Sequence, residues 1–318
     1  MITYAGIDGT CPEDDKSYEK TYLNSFINRL KRNELVRFSD CWYLRGPFVS
    51  GRDTYGRALE CYKYVHNLWR FGKSKAIFLG GHSRGAAAVI EVAKWLDDEN
   101  IPVECLIIFD AVDRTYTLGG TVWNTPIPKN VKRVIYAQRD VFRARSRLSF
   151  GNCGLTYGAA TTFFHKKFFA THSGVGGLPW PKSVLPSTDI PNPTGYIWEP
   201  AELLSSFVTP AADASGSQEV WSWASSHIAF AYQLCADRLK SGSGVSPAPD
   251  FQTPNQPNAP RMGGKQRIHV VVAGDWLSKI ALKYYGDAMK YPIIHMANLD
   301  QIGSSPDLIK PGQRLIIP

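Results

Sequence analysis

Residues 76–88 read Ala-Ile-Phe-Leu-Gly-Gly-His-Ser-Arg-Gly-Ala-Ala-Ala, and the fold turns on how they are read. A short apolar run, Ala76 to Leu79, meets Gly80 and then Gly81-His82-Ser83-Arg84-Gly85, after which alanines open a helical pattern. Gly-x-Ser-x-Gly between a strand and a helix is the setting of a nucleophile elbow. The flanking glycines let the backbone crowd into a strained turn, leaving Ser83 exposed at the strand end. The following helix aims its N-terminal N–H groups and dipole at any oxyanion formed there. The same five letters also occur by chance; the strand before and the helix after favour the elbow.

Outward from this stretch, apolar runs alternate with helical periodicity. Ile2–Ile7 reads as a strand ending in the turn Asp8-Gly9-Thr10, followed by a helix over 18–35. Cys41–Leu44 is a second strand, and a helix near 57–71 carries Leu59, Tyr62, Val65 and Trp69 on one face. Beyond the elbow helix, strands are expected at Leu106–Phe109, Val131–Ala137 and Lys167–Thr171. Strands that run apolar throughout and alternate with helices predict a mostly parallel sheet covered on both faces, an α/β architecture. Ligands of such sheets belong at the carboxyl ends of the strands.

Ser83, Asp110, Asp140 and His172 each follow a predicted strand, in the order Ser, Asp, His. A serine hydroxyl needs an imidazole to take its proton, and the imidazole needs a carboxylate to fix its tautomer. His172 sits in Phe-Phe-Ala-Thr-His-Ser-Gly-Val-Gly-Gly, where the glycines suit a loop folded over a crowded site. His165 is the near rival and precedes the last predicted strand. Two acids compete for the third place, Asp140 being favoured over Asp110, with Asp113 less well placed beyond the strand end. The acid left over would hold turn backbone. The expected oxyanion donors are the backbone N–H of Arg84 and that of Gly9 or Thr10.

Residues 179–218 are rich in Pro, Ser and Thr, with apolar islands at Val184-Leu185, Tyr196-Ile197-Trp198 and Leu203-Leu204, and read as a lid or a surface loop. A closing helix is expected over 219–239. Residues 241–266 are polar, Pro/Gly-rich and unperiodic, a linker between a domain at 1–240 and a small one at 267–318. The small domain reads as strand, two helices and strand, with Asp275 placed to cap its first helix.

Bulk properties narrow the partners. A formal charge of +8 over 318 residues favours anionic surroundings. No run of clustered Lys/Arg with interleaved aromatics suggests nucleic acid. The six cysteines have no metal spacing and read as scattered thiols, so neither metal nor cofactor is expected. No apolar stretch reaches the ~20 residues of a membrane span. The first residues lack the basic and apolar regions of a signal peptide, so the expectation is a protein made in the bacterial cytoplasm and delivered to the periplasm or envelope of a target cell by another route.

The motifs Tyr4–Thr10 (YAGIDGT), Trp42–Pro47 (WYLRGP), Gly80–Ala88 (GGHSRGAAA), Ile107–Asp113 (IIFDAVD), the 131–143 strand with its acidic tail, and Thr171–Gly177 (THSGVGG) resemble, in order, those of a family of uncharacterised α/β-hydrolases that contains the type VI secretion lipase effectors. The resemblance covers about the first 180 residues. It implies a serine esterase acting on phospholipid acyl esters, with Ser83 as nucleophile and His172 as base, and Asp110 and Asp140 both at acidic positions. It also implies an antibacterial toxin with a secretion-machine partner and an immunity protein. The chain departs from the family pattern at His82, where the family has Phe, and at Gly174, where it has Asp. Residues 269–318 resemble a LysM domain, through V-x-x-G-D-x-L-x-x-I-A, Y-G-D, Y-P-x-I-x-x-A-N and I-x-P-G-Q-x-L-x-I-P. This implies binding of N-acetylglucosamine-containing glycans such as peptidoglycan through Gly274, Asp275, Trp276, Leu277, Ile309, Pro311 and Gly312, or alternatively an adaptor role in a phage-tail-like machine. Two further readings stay open: an esterase acting on peptidoglycan or another glycan, and a non-catalytic envelope-binding protein on a degenerate hydrolase fold.

Overall fold

Strand residues alternate between two cores. In β3 (Ala76–His82), Ile77 and Leu79 face one side of the sheet and Ala76 and Phe78 the other, all of them buried. The computed structural model describes residues 1–10, 14–48, 51, 53–112, 126–141, 143–144, 152–180, 208–241, 267–286, 291, 294, 298–302 and 309–317. Two units are distinguished, Met1–Val245 and Ser246–Pro318.

The first unit is built on six parallel strands, β1 (Ile2–Ile7), β2 (Asp40–Leu44), β3, β4 (Cys105–Phe109), β5 (Arg133–Arg139) and β6 (Thr162–Phe168), in the order β2-β1-β3-β4-β5-β6. The helices α3 (Thr54–Arg70) and α4 (Arg84–Asp98) cover one face. The helices α2 (Phe26–Lys31) and α6 (Pro210–Ser241) cover the other, and α1 (Asp15–Tyr22) precedes α2. This is the α/β class expected from the alternating pattern. The chain order reverses between β1 and β3, so the crevice at their carboxyl ends is where a ligand belongs in such a sheet. The turn after β1 and the Ser83 elbow both open there.

Three boundaries differ most from expectation. The helix expected over 18–35 is two helices. Ser25 caps the second by accepting the Asn28 N–H at 3.1 Å, and Leu23, between them, is exposed. The last strand runs over 162–168 instead of 167–171, so His165 lies inside it and His172 follows it by four residues. Its mixed exposure and two lysines suit an edge strand. The closing helix starts at Pro210, nine residues before the expected 219, because Asp213, Gly216 and Ser217 bury small or polar groups that leave no apolar stripe. The apolar islands of residues 184–204, Asp113, Cys11 and residues 242–266 lie outside the described residues. Cys61, Cys105, Cys153 and Cys235 are buried free thiols.

The second unit pairs β7 (Arg267–Val270) antiparallel with β8 (Arg314–Ile317). Between them lie α7 (Leu277–Tyr285) and the short α8 (Leu299–Ile302). Val271, Leu277, Ile280, Ala281, Ile294 and Leu315 form its core. Among the described residues no helix is long and apolar enough to cross a membrane.

Candidate active site and glycan-binding rim

Ser83 occupies a left-handed conformation, φ 57° and ψ −129°, between the last residue of β3 and the first of α4. The two glycines of the motif are steric necessities there. A Cβ on Gly81 would lie 2.4 Å from the Ala86 Cα, and one on Gly85 would lie 2.2 Å from the Asp8 carbonyl oxygen. The start of α4 therefore rests directly on the backbone at the end of β1. The Ser83 N–H donates to Phe109 O at 3.0 Å and its carbonyl accepts the Val112 N–H at 3.2 Å, which ties the elbow to the end of β4.

A continuous polar path leads away from the serine. The Ser83 hydroxyl donates to His172 Nε2 at 2.8 Å, and His172 Nδ1 donates to Asp110 Oδ2 at 2.6 Å. All three residues are buried. Asp110 also has positive φ, 47°, which turns its carboxylate sideways from the end of β4 toward the imidazole. His172 is the first residue of the single-turn helix α5 (His172–Val175), whose N-cap Thr171 accepts the Gly174 N–H at 3.0 Å. The glycines after it are needed for close approach. A Cβ on Gly176 would enter the His82 ring at 2.4 Å, and Gly177 has φ +90° against the Phe26 backbone.

Asp140, the favoured acid, is not brought to His172. It follows β5, one strand further along the sheet, and its Oδ1 accepts the Arg143 N–H at 3.1 Å in a local turn. Arg139, fully buried, meets the Asp110 carboxylate instead. Its guanidinium pairs with Asp110 Oδ2, its own N–H donates to Asp110 Oδ1 at 3.2 Å, and its Nη1 lies 3.5 Å from His172 Nδ1. Asn152 Nδ2 donates to Asp110 Oδ1 at 2.8 Å, and Gln138 links Asn152 to His165. The rival histidine thus serves the outer end of the same network. Arg139, Asn152 and Gln138 carry no motif that marks them in the sequence.

Electrostatics follow the packing. Burial alone would raise the Asp110 carboxyl, but the Arg139 cation and the His172 contact override it and hold it well below the usual carboxylate range. Burial pushes His172 down to about 3, with help from the His82 ring and Arg139 and against the pull of Asp110. A neutral imidazole accepting from a serine hydroxyl is the form a general base requires.

Of the expected oxyanion donors, Arg84 N–H is at the first turn of α4, where helix N–H groups lack intrahelical acceptors. Gly9 is otherwise engaged, because its N–H donates to Asp8 Oδ1 at 2.9 Å. Thr10 stays beside the elbow, its Oγ1 accepting from Arg84 Nη1 at 3.2 Å. Asp8 itself is buried and accepts from the Ser25 hydroxyl and from Tyr43 at 3.1 Å. Among the described residues no group of three or more His, Cys, Asp or Glu is arranged to hold a metal ion.

In the second unit the loops after β7 and before β8 lie side by side, Gly312 N donating to Val271 O at 2.8 Å. Gly274, Trp276, Pro311 and Gly312 are exposed there, Trp276 to 58%. Leu277 and Asp275 turn inward instead. Leu277 is 2% exposed in the core, and Asp275 Oδ2 accepts from Val272 N at 3.0 Å and His269 Nε2 at 2.9 Å, leaving Trp276 as the N-cap of α7. Ile309 is half-buried and packs on the core.

Comparison with known proteins bears mainly on this second unit. An uncharacterised protein of Deinococcus radiodurans is 54% identical over 52 residues, 16% of this chain and 19% of its own length. Two Mycobacterium tuberculosis proteins named as esterases are each 48% identical over 50 residues, 16% of this chain and 10% of theirs. The chain therefore spans a fifth or less of these relatives, and the esterase-named matches fall in the LysM region alone. A crystal structure of an uncharacterised Pseudomonas aeruginosa protein is 14% identical and covers 56% of this chain and 41% of its own, with a TM-score of 0.34. The LysM domain family matches residues 269–318, so the chain carries a LysM domain, which indicates binding of peptidoglycan or a related glycan.

Proposed function

We propose that the first unit is a serine hydrolase of the α/β-hydrolase type, cleaving carboxylic esters, and that the LysM domain holds it on the bacterial envelope. The observation that carries this reading is the unbroken path from Ser83 Oγ through His172 to Asp110, at the carboxyl ends of parallel strands. In the acylation step Ser83 Oγ attacks the ester carbonyl while His172 Nε2 takes its proton. Asp110 steadies the imidazolium, and the same proton is passed to the departing alcohol as the acyl-serine forms. Water then repeats the sequence, with His172 as base, to release the acid. The Arg84 and Thr10 N–H groups are the donors assigned to the oxyanion, each worth about 3 kcal/mol in such sites.

Phospholipid acyl esters are the substrate this reading favours, on the resemblance of the six N-terminal motifs to the lipase effector family. An antibacterial role, with an immunity protein in the producer, extends the same argument. Tethering to glycan raises the local concentration of enzyme at the envelope without new catalytic contacts. Mass spectrometry of envelope phospholipids incubated with the protein tests the proposal: wild type should release fatty acid and Ser83→Ala should not. Equal release by the two, or none by either, contradicts it. The LysM domain favours a second reading, removal of acyl groups from the glycan itself; release of acetate from sacculi with phospholipids untouched would select it.

A further inference from the structure

Among the described residues, Asp8 and Asp213 are fully buried carboxylates that the mechanism does not use, and Asp213 lies against the turn that carries His172. Asp213, in the first turn of α6, is 0% exposed. Among the described residues its carboxylate meets three donors and no cation. The Thr171 N–H donates to Oδ1 at 2.7 Å, the Thr171 hydroxyl to Oδ2 at 2.9 Å, and the Trp180 N–H to Oδ2 at 2.8 Å. Thr171 is the N-cap of α5 and immediately precedes His172, so one side chain grips the chain at the start of the base-bearing turn and again five residues beyond its end, at Trp180. The fit is close. A Cβ on Gly174 would lie 2.2 Å from Asp213 Oδ1, and one on Gly216 would lie 2.4 Å from the Phe169 carbonyl oxygen. Burial outweighs the pull of these donors and pushes the Asp213 carboxyl above the ordinary aspartate value.

We propose that Asp213 is a positioning residue for His172: by holding Thr171 and Trp180 together it sets where Nε2 meets the Ser83 hydroxyl. The proposal rests on the hydrolase reading for its kinetic consequence, but not for its structural one. An amide at 213 keeps one acceptor oxygen and turns an NH₂ toward the donors left over, so the turn must shift. A displacement of about 1 Å in a catalytic group costs on the order of a hundredfold in rate.

The experiment compares full-length wild type, Asp213→Asn, Thr171→Val, Thr171→Ser and Ile228→Ala. The last thins the same helix's packing far from the turn. Two readouts are followed: kcat and KM on a soluble ester, and the far-downfield NMR resonance of the His172 Nδ1 proton, which reports its bond to Asp110 without any turnover. Asp213→Asn and Thr171→Val should lower kcat, about a hundredfold for Asp213→Asn, with KM little changed, and should shift or broaden the downfield proton. Thr171→Ser should restore both, and Ile228→Ala should lower the melting temperature yet leave both intact. Native kcat and an unmoved proton in Asp213→Asn overturn the proposal, as does an equal loss in Ile228→Ala. Should Asp213→Asn not fold, the Thr171 pair decides by the same criteria. Should wild type hydrolyse nothing while the downfield proton still responds, the hydrolase reading fails and the positioning role stands.

Discussion

The elbow of the first unit and the exposed loop rim of the second both depend on glycine, for different reasons. At Gly81, Gly85 and Gly176 the space for a side chain is already taken by backbone or by the His82 ring. At Gly274 and Gly312 nothing lies within 4 Å, and only φ values of 83° and 90° require glycine. The elbow is over-determined by packing, so its chemistry follows from internal geometry. The rim is an open surface of a domain whose kinship to other LysM domains indicates glycan binding. The two regions should therefore fail in different ways when altered.

The largest contrast is expected between two acids. Asp110→Asn should cut kcat about 10⁴-fold by fixing the wrong imidazole tautomer. Asp140→Asn, whose carboxylate closes a local turn, should change kcat no more than a few-fold. Steady-state kinetics on a soluble ester reads the difference, and reversed effects would move the triad to β5.

Next come the glycines. Gly85→Ala forces a Cβ against the Asp8 carbonyl and should destabilise the first unit by about 3 kcal/mol or more, with loss of activity. Gly274→Ala and Gly312→Ala should each cost only about 1–2 kcal/mol, in the second unit alone. Thermal unfolding of the variants, followed by hydrogen exchange in each unit, checks this. Equal penalties would show that the elbow is less tightly packed than described.

A pH profile sharpens the site further. His172 is held down to about 3, so kcat/KM should stay level through the ordinary histidine range and fall only near that value, because the neutral imidazole is the active form. Stability follows a different course. The unfolded chain takes a proton on this histidine below about 6.5 while the folded one does not, so the first unit loses stability as pH falls below that point. The low Asp110 pKa adds a further loss only below the ordinary carboxylate range. Arg139→Gln removes a cation that opposes protonation of His172, and should move the acid limb upward. A limb left in place would show that burial alone sets it.

The smallest effect belongs to the rim. Trp276→Ala should weaken retention on purified peptidoglycan about tenfold by removing an exposed aromatic, while hydrolysis of a soluble ester is unchanged. Unchanged retention would place the glycan elsewhere on the domain.

How far these features were legible depended on whether their cause is local. Gly-x-Ser-x-Gly and the strands around it are written in neighbouring residues, and the continuous apolar runs of the strands reported the two-sided core. Asp110 and Asp140 look alike because each follows an apolar strand. What separates them is a left-handed φ at 110 and the inward turn of Arg139, and neither has a local signature. The early start of α6 was hidden for a related reason. Pro210 at the first helical position is a fair start signal, but the buried face that follows is made of Asp213, Gly216 and Ser217, which no hydrophobic period detects. In the LysM domain, the inward turn of Asp275 toward His269 depends on contact across six residues and displaced the expected cap by one position.

The most direct test of the central claim is labelling by a fluorophosphonate probe, with the modified residue located by peptide mass spectrometry. The account predicts a single adduct on Ser83 in the wild type, none in Ser83→Ala, and labelling slowed by orders of magnitude in His172→Ala. An unlabelled wild type, or an adduct that persists in Ser83→Ala, would contradict it.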